Sequence, residues 1–303
     1  MRGRVAHTLS WCAGLLGLVA VIWYFQPSNF ASQLEKVGVG GALGWLFLTL
    51  GARLCLVETI VLPIRALGFS FQRSDAFWLG WVRTFANQIV PLSGLAIYTR
   101  EIRRKADIPW SGIVALSTPT FLLATAALSV IGLCAIVSNV SYVGASTLPM
   151  LIAFTAIGGG SLFAATHAAW MIDRLPVATF LFAEQSAAAF RRLSERSRLI
   201  ATLILLHALA ILVRGTRIWL LFLLVGAEMT LPAALLVIAI AESAALFQIT
   251  PGGLGLREGA IIGGAVLLHI SPELGATVAL IDRLFIVAIT TLLAIPGYVL
   301  VRR

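Results

Sequence analysis

Long continuous runs of apolar residues, separated by short polar stretches, dominate the sequence. Six of these runs are long enough to cross a bilayer as helices, since a crossing needs about 20 apolar residues. They lie at 9–25, 41–62, 113–137, 148–170, 199–225 and 276–301. The first run ends in the aromatic cluster Trp23-Tyr24-Phe25, which is typical of a membrane interface rather than of a signal-peptide cleavage site. We therefore expect six full transmembrane helices.

Two further apolar segments are interrupted by proline and glycine. Residues 77–91 break at Pro91 and Gly94, and residues 233–249 break at Thr250-Pro251-Gly252-Gly253; the following run, 261–270, is too short to cross. Such breaks leave several backbone N–H and C=O groups without helical hydrogen bonds. Within a membrane these groups are tolerated only where they are buried in protein or line a water-filled cavity. The pattern predicts two re-entrant helical hairpins and a polar cavity between them.

The distribution of basic residues favours the same topology. With the N-terminus inside and both broken segments re-entrant, most of the 22 basic residues fall in inner loops, whereas the outer loops carry only Lys36. Basic residues concentrate on the cytoplasmic side of membrane proteins. We expect the cell inner (cytoplasmic) membrane, cytoplasmic termini, outer loops at 138–147 and 226–230, and a cytoplasmic amphipathic helix at 173–198.

The two broken segments resemble one another. Gln-Ile-Val-Pro at 88–91 is followed by Arg100-Glu101, and Gln-Ile-Thr-Pro at 248–251 is followed by Arg257-Glu258. In the predicted topology they enter from opposite sides, as in the inverted repeats of many transporters. The expected fold is an all-α polytopic membrane protein with one domain over 1–303. Its parts are a first span and outer connection (1–40), a first repeat (41–138), a connecting span with the amphipathic helix (139–198) and a second repeat (199–303).

Composition narrows the function classes. The chain has 303 residues, of which 59% are hydrophobic and 12% charged, and its mean hydropathy is +0.97. We expect no separate soluble catalytic domain of any size. The net charge of +9 is explained by basic cytoplasmic loops, so we expect no nucleic-acid partner. The three cysteines and four histidines show no metal-binding or catalytic spacing, and we expect no cofactor, metal site or catalytic residue.

Several ionisable residues fall within the apolar runs. They are Arg53, Glu58, Arg83, Arg214, Arg217, Glu242, Arg257, Glu258, Asp282 and Arg283. Each costs roughly 2.5–3.5 kcal/mol at a helix centre, so such groups usually face a cavity or pair with one another. Two interpretations stay open. The acids neutralise arginines, for example Glu258 or Glu242 with Arg257 and Asp282 with Arg283, or the surplus arginines bind an anion, for which the guanidinium fork suits phosphate.

The sequence resembles a known membrane family. The segments TPGGLGLREG (250–259) and ALIDRL (279–284) resemble the signature of the lysylphosphatidylglycerol synthase transmembrane-region family, also called the flippase-like domain family. Residues 87–100, with Pro91, Gly94 and Arg100, look like its first-half motif. In the span after the first hairpin, residues 117–120 (Ser-Thr-Pro-Thr) replace an acidic-Arg pair that the family pattern leads one to expect. The resemblance implies movement of phospholipids, hopanoid-type lipids or polyprenyl-phosphate sugars between leaflets, and no synthase activity for a chain lacking the soluble domain.

These observations together predict a flippase for a lipid with a phosphate head group, namely an anionic or aminoacylated phospholipid or a polyprenyl-phosphate-linked sugar. The expected substrate-binding residues are Arg257, Glu258, Arg283, Asp282, Gln248, Gly252, Gly253, Glu242, Arg83, Asn87, Gln88 and Arg100. The partners are this lipid and, as an open expectation, a cytoplasmic lipid synthase or glycosyltransferase. Two alternatives stay open: an integral-membrane lipid-modifying enzyme, and a non-transporting membrane partner of a lipid synthase.

Overall fold

The computed structural model describes residues 30–173, 188–189, 191–193, 195–246 and 250–302. Its main helices are α1 (Phe30–Ala66), α2 (Arg73–Ile89), α3 (Ser93–Ala106), α4 (Trp110–Ser138), α5 (Val140–Val143), α6 (Thr147–Asp173), α7 (Ser197–Leu224), α8 (Leu231–Ala245), α9 (Leu256–Leu267) and α10 (Pro272–Arg302). Two 3-10 turns, Gly144–Ser146 and Pro251–Gly253, lie between them.

Five of the described helices are long and apolar enough to cross a membrane. They are α1, α4, α6, α7 and α10. Each overlaps one of the predicted spans, so the prediction of an all-α polytopic membrane fold is confirmed. The remaining predicted span, 9–25, lies outside the described residues, as does most of the predicted amphipathic helix at 173–198. The predicted outer loop at 138–147 is itself largely helical, formed by α5 and the 3-10 turn that follows it.

Two helical hairpins stand at the broken segments. Helices α2 and α3 pack against each other after a break at residues 90–92, and α8 packs against α9. Helices α8 and α9 have 15 and 12 residues, so they are about 22 and 18 Å long, less than the ~30 Å of a hydrocarbon core. Helices α8 and α9 are thus too short to cross the membrane singly. The two hairpins are observed, whereas their re-entry into the membrane stays a prediction.

Helix α9 begins at Leu256, five residues before the apolar run at 261. Arg257 and Glu258 therefore follow the glycine-rich break as the second and third residues of the helix. Gly255 precedes the helix with a φ of +82°, and its backbone N–H donates to Glu258 Oε2 at 2.7 Å. Because an acidic side chain that accepts from the first N–H groups stabilises a helix start, the polar pair belongs to the helix.

The order of span, hairpin and span occurs twice, as α1 to α4 and as α7 to α10. Helix α1 packs along α7, and α2 of the first hairpin packs along α10 of the second half. One hydrophobic cluster surrounds α8 and α9, and another surrounds the first hairpin with residues such as Leu79 and Ile102. The two halves are thus interlocked, while the inverted orientation of the repeat stays a prediction.

Candidate functional site

A polar strip crosses the middle of α1. Trp45, Thr49 and Arg53 recur at every fourth position of α1, so they share one face. Regular helix resumes after Gly38, where φ is +56°. Arg53 therefore lies about 22 Å from that start and about 20 Å from the end at Ala66, which is close to the middle of a span. These side chains contact Thr84 of α2 and the charged residues Arg217 of α7 and Asp282 of α10.

Asp282 of α10 accepts hydrogen bonds from three side chains. Trp45 Nε1 lies 2.8 Å from Oδ1, while Arg257 Nη2 lies 3.1 Å and Arg217 Nη2 3.3 Å from Oδ2. Asp282 is 1% exposed. Arg217 also donates to Thr49 Oγ1 at 3.1 Å and stacks over the Trp45 ring. A carboxylate so fully removed from solvent needs such donors, because an unpaired buried charge is strongly unfavourable.

Glu242 of α8 extends this network. Its Oε2 accepts from Arg214 Nη1 at 2.7 Å, and its Oε1 accepts from Arg257 Nη1 at 2.9 Å. Arg257 therefore bridges Glu242 and Asp282, and the ion pairs run from α7 through α8 and α9 to α10. The sequence left open whether Arg257 neutralises an acid or binds phosphate; in the structure it is paired with two acids.

The ion pairs that form are not those between sequence neighbours. Arg257 contacts Glu242 and Asp282, whereas Glu258 lies 3.7 Å from Arg283. Side chains of adjacent helix residues point about 100° apart. Residues 257 and 258 therefore do not face each other, and neither do residues 282 and 283. The pairing of Glu258 with Arg257 and of Asp282 with Arg283 was therefore wrong, and pairing between helices replaces it.

The break between α8 and α9 is held by Arg283. Its Nη1 donates to the carbonyl oxygen of Gly252 at 2.8 Å. Gly252 and Gly253 have φ values of +58° and +71°, a region that favours glycine. A Cβ at residue 252 would also lie 3.3 Å from Gln88 Cα. Glycine therefore allows the two broken segments to touch; Gln248, the other predicted residue here, lies outside the described residues.

The first hairpin contributes backbone support at its tip. Asn87 Oδ1 accepts from the Gly94 N–H at 2.8 Å, and a Cβ at residue 94 would clash with the carbonyl oxygen of Arg83. Gln88 Oε1 accepts from Thr290 Oγ1 of α10 at 3.1 Å. Asn87 and Gln88 thus hold the tip of the first hairpin together and against the second half.

The remaining predicted residues have different surroundings. Arg83 is half-buried and stacks over the Tyr98 ring at 4.9 Å. Arg100 is exposed on α3 and does not join the network just described. Glu58 pairs with Arg73 near the start of α2. The Arg217 side chain is 5% exposed and pairs with Asp282.

The sequence interpretation found only one residue of the polar strip on α1. It singled out Arg53 but neither Trp45 nor Thr49. Thr84 and Thr290, which contact Arg53 and Gln88, were missed as well. The four-residue spacing of a tryptophan, a threonine and an arginine within an apolar run was the available signal. Isolated threonines in apolar helices carry no comparable signal, because they commonly bond to their own helix backbone.

Nine ionisable residues, called the central cluster below, gather where α1 and α2 meet α7 to α10. They are Arg53, Arg83, Arg214, Arg217, Arg257, Arg283, Glu242, Glu258 and Asp282. Six are basic and three are acidic, so the described cluster carries three excess positive charges. The arrangement can attract and hold an anionic group within the apolar part of the protein.

Comparison with known proteins supports the resemblance carried by the two motif segments. A search of curated proteins gives no match to the sequence. The family model described as the lysylphosphatidylglycerol synthase TM region matches residues 11–294. That match covers nearly the whole chain, including both hairpins and the central cluster. The protein is therefore a multi-pass membrane protein that belongs to the lysylphosphatidylglycerol synthase transmembrane-region family.

Proposed function

We propose that the protein is a flippase, which moves a phosphate-bearing lipid between the leaflets of the membrane without changing it chemically. The observation that carries this proposal is the excess of three positive charges in the central cluster, whose member Arg53 lies near the middle of α1. Each such charge is costly in a bilayer and is retained mostly for function. An anion that enters the cluster offsets that cost.

Phosphate is the anion that this chemistry fits best. All six cations are arginines, whose planar guanidinium binds two oxygens of a phosphate at once. The cluster is surrounded by apolar helices, so a lipid can approach from the bilayer with its tails still in hydrocarbon. The family's link to a lysylphosphatidylglycerol synthase is consistent with a phospholipid, and a polyprenyl-phosphate sugar has the same charged group.

The contact between the hairpin tips gives the proposal a structural basis for movement. In this proposal both hairpins re-enter the membrane, the termini are cytoplasmic, and the protein resides in the inner membrane. Gln88 and Gly252 lie where the two tips meet, beside Arg283. A head group that passes between the leaflets must separate or slide past this contact. Displacement of one hairpin against the other is a form of alternating access.

Translocation in liposomes tests this function against the enzyme alternative. Purified protein is reconstituted with a fluorescent phosphatidylglycerol, and the fraction reduced by external dithionite reports exchange between leaflets. The lipid is then extracted and its mass measured. A flippase exchanges the label and returns the lipid with its mass unchanged. Conversion of the lipid to a product of different mass assigns the protein to the enzymes instead.

A further inference from the structure

The cations of the central cluster fall into two groups. Arg214, Arg217, Arg257 and Arg283 each lie within 4 Å of an acidic side chain. A phosphate that binds any of them must compete with a carboxylate already in place. Arg53 and Arg83 differ, because no acidic side chain of the described residues forms an ion pair with either of them. Their positive charge is therefore the part of the cluster that is free to accept an anion.

Arg53 is positioned by α2 without being neutralised. Its Nη2 donates to Thr84 Oγ1 at 2.9 Å, and its guanidinium lies over the Trp81 ring at 4.4 Å. Gly80 makes this approach possible, since a Cβ there would lie 2.7 Å from Arg53 Nη1. A hydroxyl and an aromatic face orient a guanidinium and leave its other N–H groups available.

Arg83 follows Trp81 on the same helix and stacks over Tyr98 of α3. It immediately precedes Thr84, to which Arg53 donates, so both arginines lie beside the same turn of α2 and their like charges oppose each other. Two half-buried guanidiniums held together in an apolar region without a carboxylate are unfavourable by themselves. An anion between them removes the repulsion and satisfies the free N–H groups of both. Thr84 is one helical turn before Gln88, so this place adjoins the contact between the hairpin tips.

We infer that Arg53 and Arg83 form the phosphate-binding site for the lipid head group, with Trp81, Thr84 and Tyr98 orienting the two guanidiniums. This inference rests on the proposed function and locates its substrate site in the first half of the chain. The main role of the acid-paired arginines in the second half is then to hold α7 to α10 together. The group bound is a phosphate monoester or diester, and a lipid is its source.

Ligand-induced thermal stabilisation of the purified protein in detergent tests the site. The ligands are short-chain phosphatidylglycerol, inorganic phosphate, and a neutral short-chain diglucosyl lipid. The variants are Arg53→Gln, Arg83→Gln and the control Arg103→Gln. Arg103 is exposed and lies outside the central cluster. It stacks over Trp110 at 5.1 Å, so it makes the same kind of aromatic contact as Arg53 and Arg83.

We expect phosphatidylglycerol to stabilise the wild type and the Arg103 variant equally, while Arg53→Gln and Arg83→Gln each bind it at least tenfold more weakly. The neutral lipid should stabilise none of them. Without ligand both variants should melt at or above the wild-type temperature, because each loses a repelled and unneutralised charge. Unfolding of both variants would overturn the proposal by showing a structural role.

The outcomes separate this inference from the proposed function. If the wild type binds and translocates phosphatidylglycerol and both variants do so equally well, the site is wrong and the flippase function stands. If the wild type neither binds nor moves any of these lipids, the proposed function fails with it. Inorganic phosphate could instead bind as tightly as phosphatidylglycerol, with the same dependence on Arg53 and Arg83. That result would overturn the assignment of the site to a lipid head group.

Discussion

Gln88 and Gly252 are 164 residues apart in the chain, yet a Cβ at residue 252 would lie 3.3 Å from the Cα of Gln88. The two residues belong to the broken segments of the two halves, and their contact joins the hairpin tips. Glycine at 252 meets two demands at once, a φ of +58° and the absence of a side chain. The contact is therefore sensitive to a single methyl group.

Gly252→Ala should lower the free energy of unfolding by about 1–3 kcal/mol, because the left-handed backbone is strained for alanine and Gln88 must move. Lipid translocation should fall with it. Gly259→Ala is the matched control, since it lies within α9 with open space around its Cβ position. Equal stability and transport of the two variants would show that the tips need not touch. Thermal melting and the dithionite assay measure both effects.

Asp282→Ala should be the most destabilising single change in the central cluster. It removes the acceptor of Trp45, Arg217 and Arg257 and leaves buried arginines without their partner. Breaking a buried ion pair costs about 3–5 kcal/mol. Glu273→Ala, an exposed acid on the same helix, is the control and should change stability by less than about 0.5 kcal/mol. A similar small effect of both changes in a denaturation series would contradict the central role of Asp282.

Arg257→Ala separates a structural from a transport role. The variant should lose about 2 kcal/mol of stability, the magnitude of a charge-assisted hydrogen bond, because Glu242 and Asp282 each keep one other arginine. Adding Glu242→Gln restores the charge balance but removes the acceptor of Arg214, so it should recover only part of that stability. If Arg257 also meets the phosphate during transport, the double variant should still translocate lipid at least tenfold more slowly, and Arg257→Lys should recover only part of the rate. A double variant with the wild-type rate would limit Arg257 to neutralising acids.

Gly80→Ala tests the placement of Arg53 without removing any charge. The added methyl group forces Arg53 Nη1 to move, so the fold should persist while binding of phosphatidylglycerol weakens several-fold. Gly51→Ala on α1 is the control, because its Cβ would meet only Val213 at an ordinary 3.9 Å. Thermal shift with phosphatidylglycerol measures the difference. Equal binding by the two alanine variants would show that the exact position of Arg53 does not matter.

Single-cysteine labelling tests the predicted topology. In a background without Cys12, Cys55 and Cys134, an impermeant reagent applied to intact cells should label Ala145→Cys and Glu228→Cys. It should label Ala188→Cys only after the cells are opened. All three positions are exposed on the protein. External labelling at residue 188 would contradict the inverted-hairpin arrangement with cytoplasmic termini.

The helices of this protein could be predicted from the sequence because apolar length decides them. The run 113–137 differs from α4, Trp110–Ser138, only by a few flanking residues. The start of α9 could not be found in this way, since Arg257 and Glu258 interrupt the apolar pattern and are stabilised by the Gly255 N–H and by Glu242. A pattern of hydrophobicity contains no information about partners on other helices.

The same limit applies to the central cluster. The sequence identified every charged member, because an ionisable residue in an apolar run is conspicuous. It left Glu258 or Glu242 as the partner of Arg257, whereas the partners are Glu242 and Asp282, 15 and 25 residues away. The packing of α8, α9 and α10 decides those pairs. For Arg53, the packing of α1 against α2 places the side chain beside Thr84 and Trp81, and no acid among the described residues forms an ion pair with it.

Head-group selectivity of translocation tests the central claim most directly. Proteoliposomes and protein-free liposomes receive fluorescent phosphatidylglycerol or a fluorescent neutral diglucosyl lipid with the same tails, and the initial rate of exchange is measured for each. A flippase with an excess of three positive charges should exchange phosphatidylglycerol at least tenfold faster than protein-free liposomes and leave the neutral lipid near the protein-free rate. Equal acceleration of both lipids, or of neither, would contradict the account.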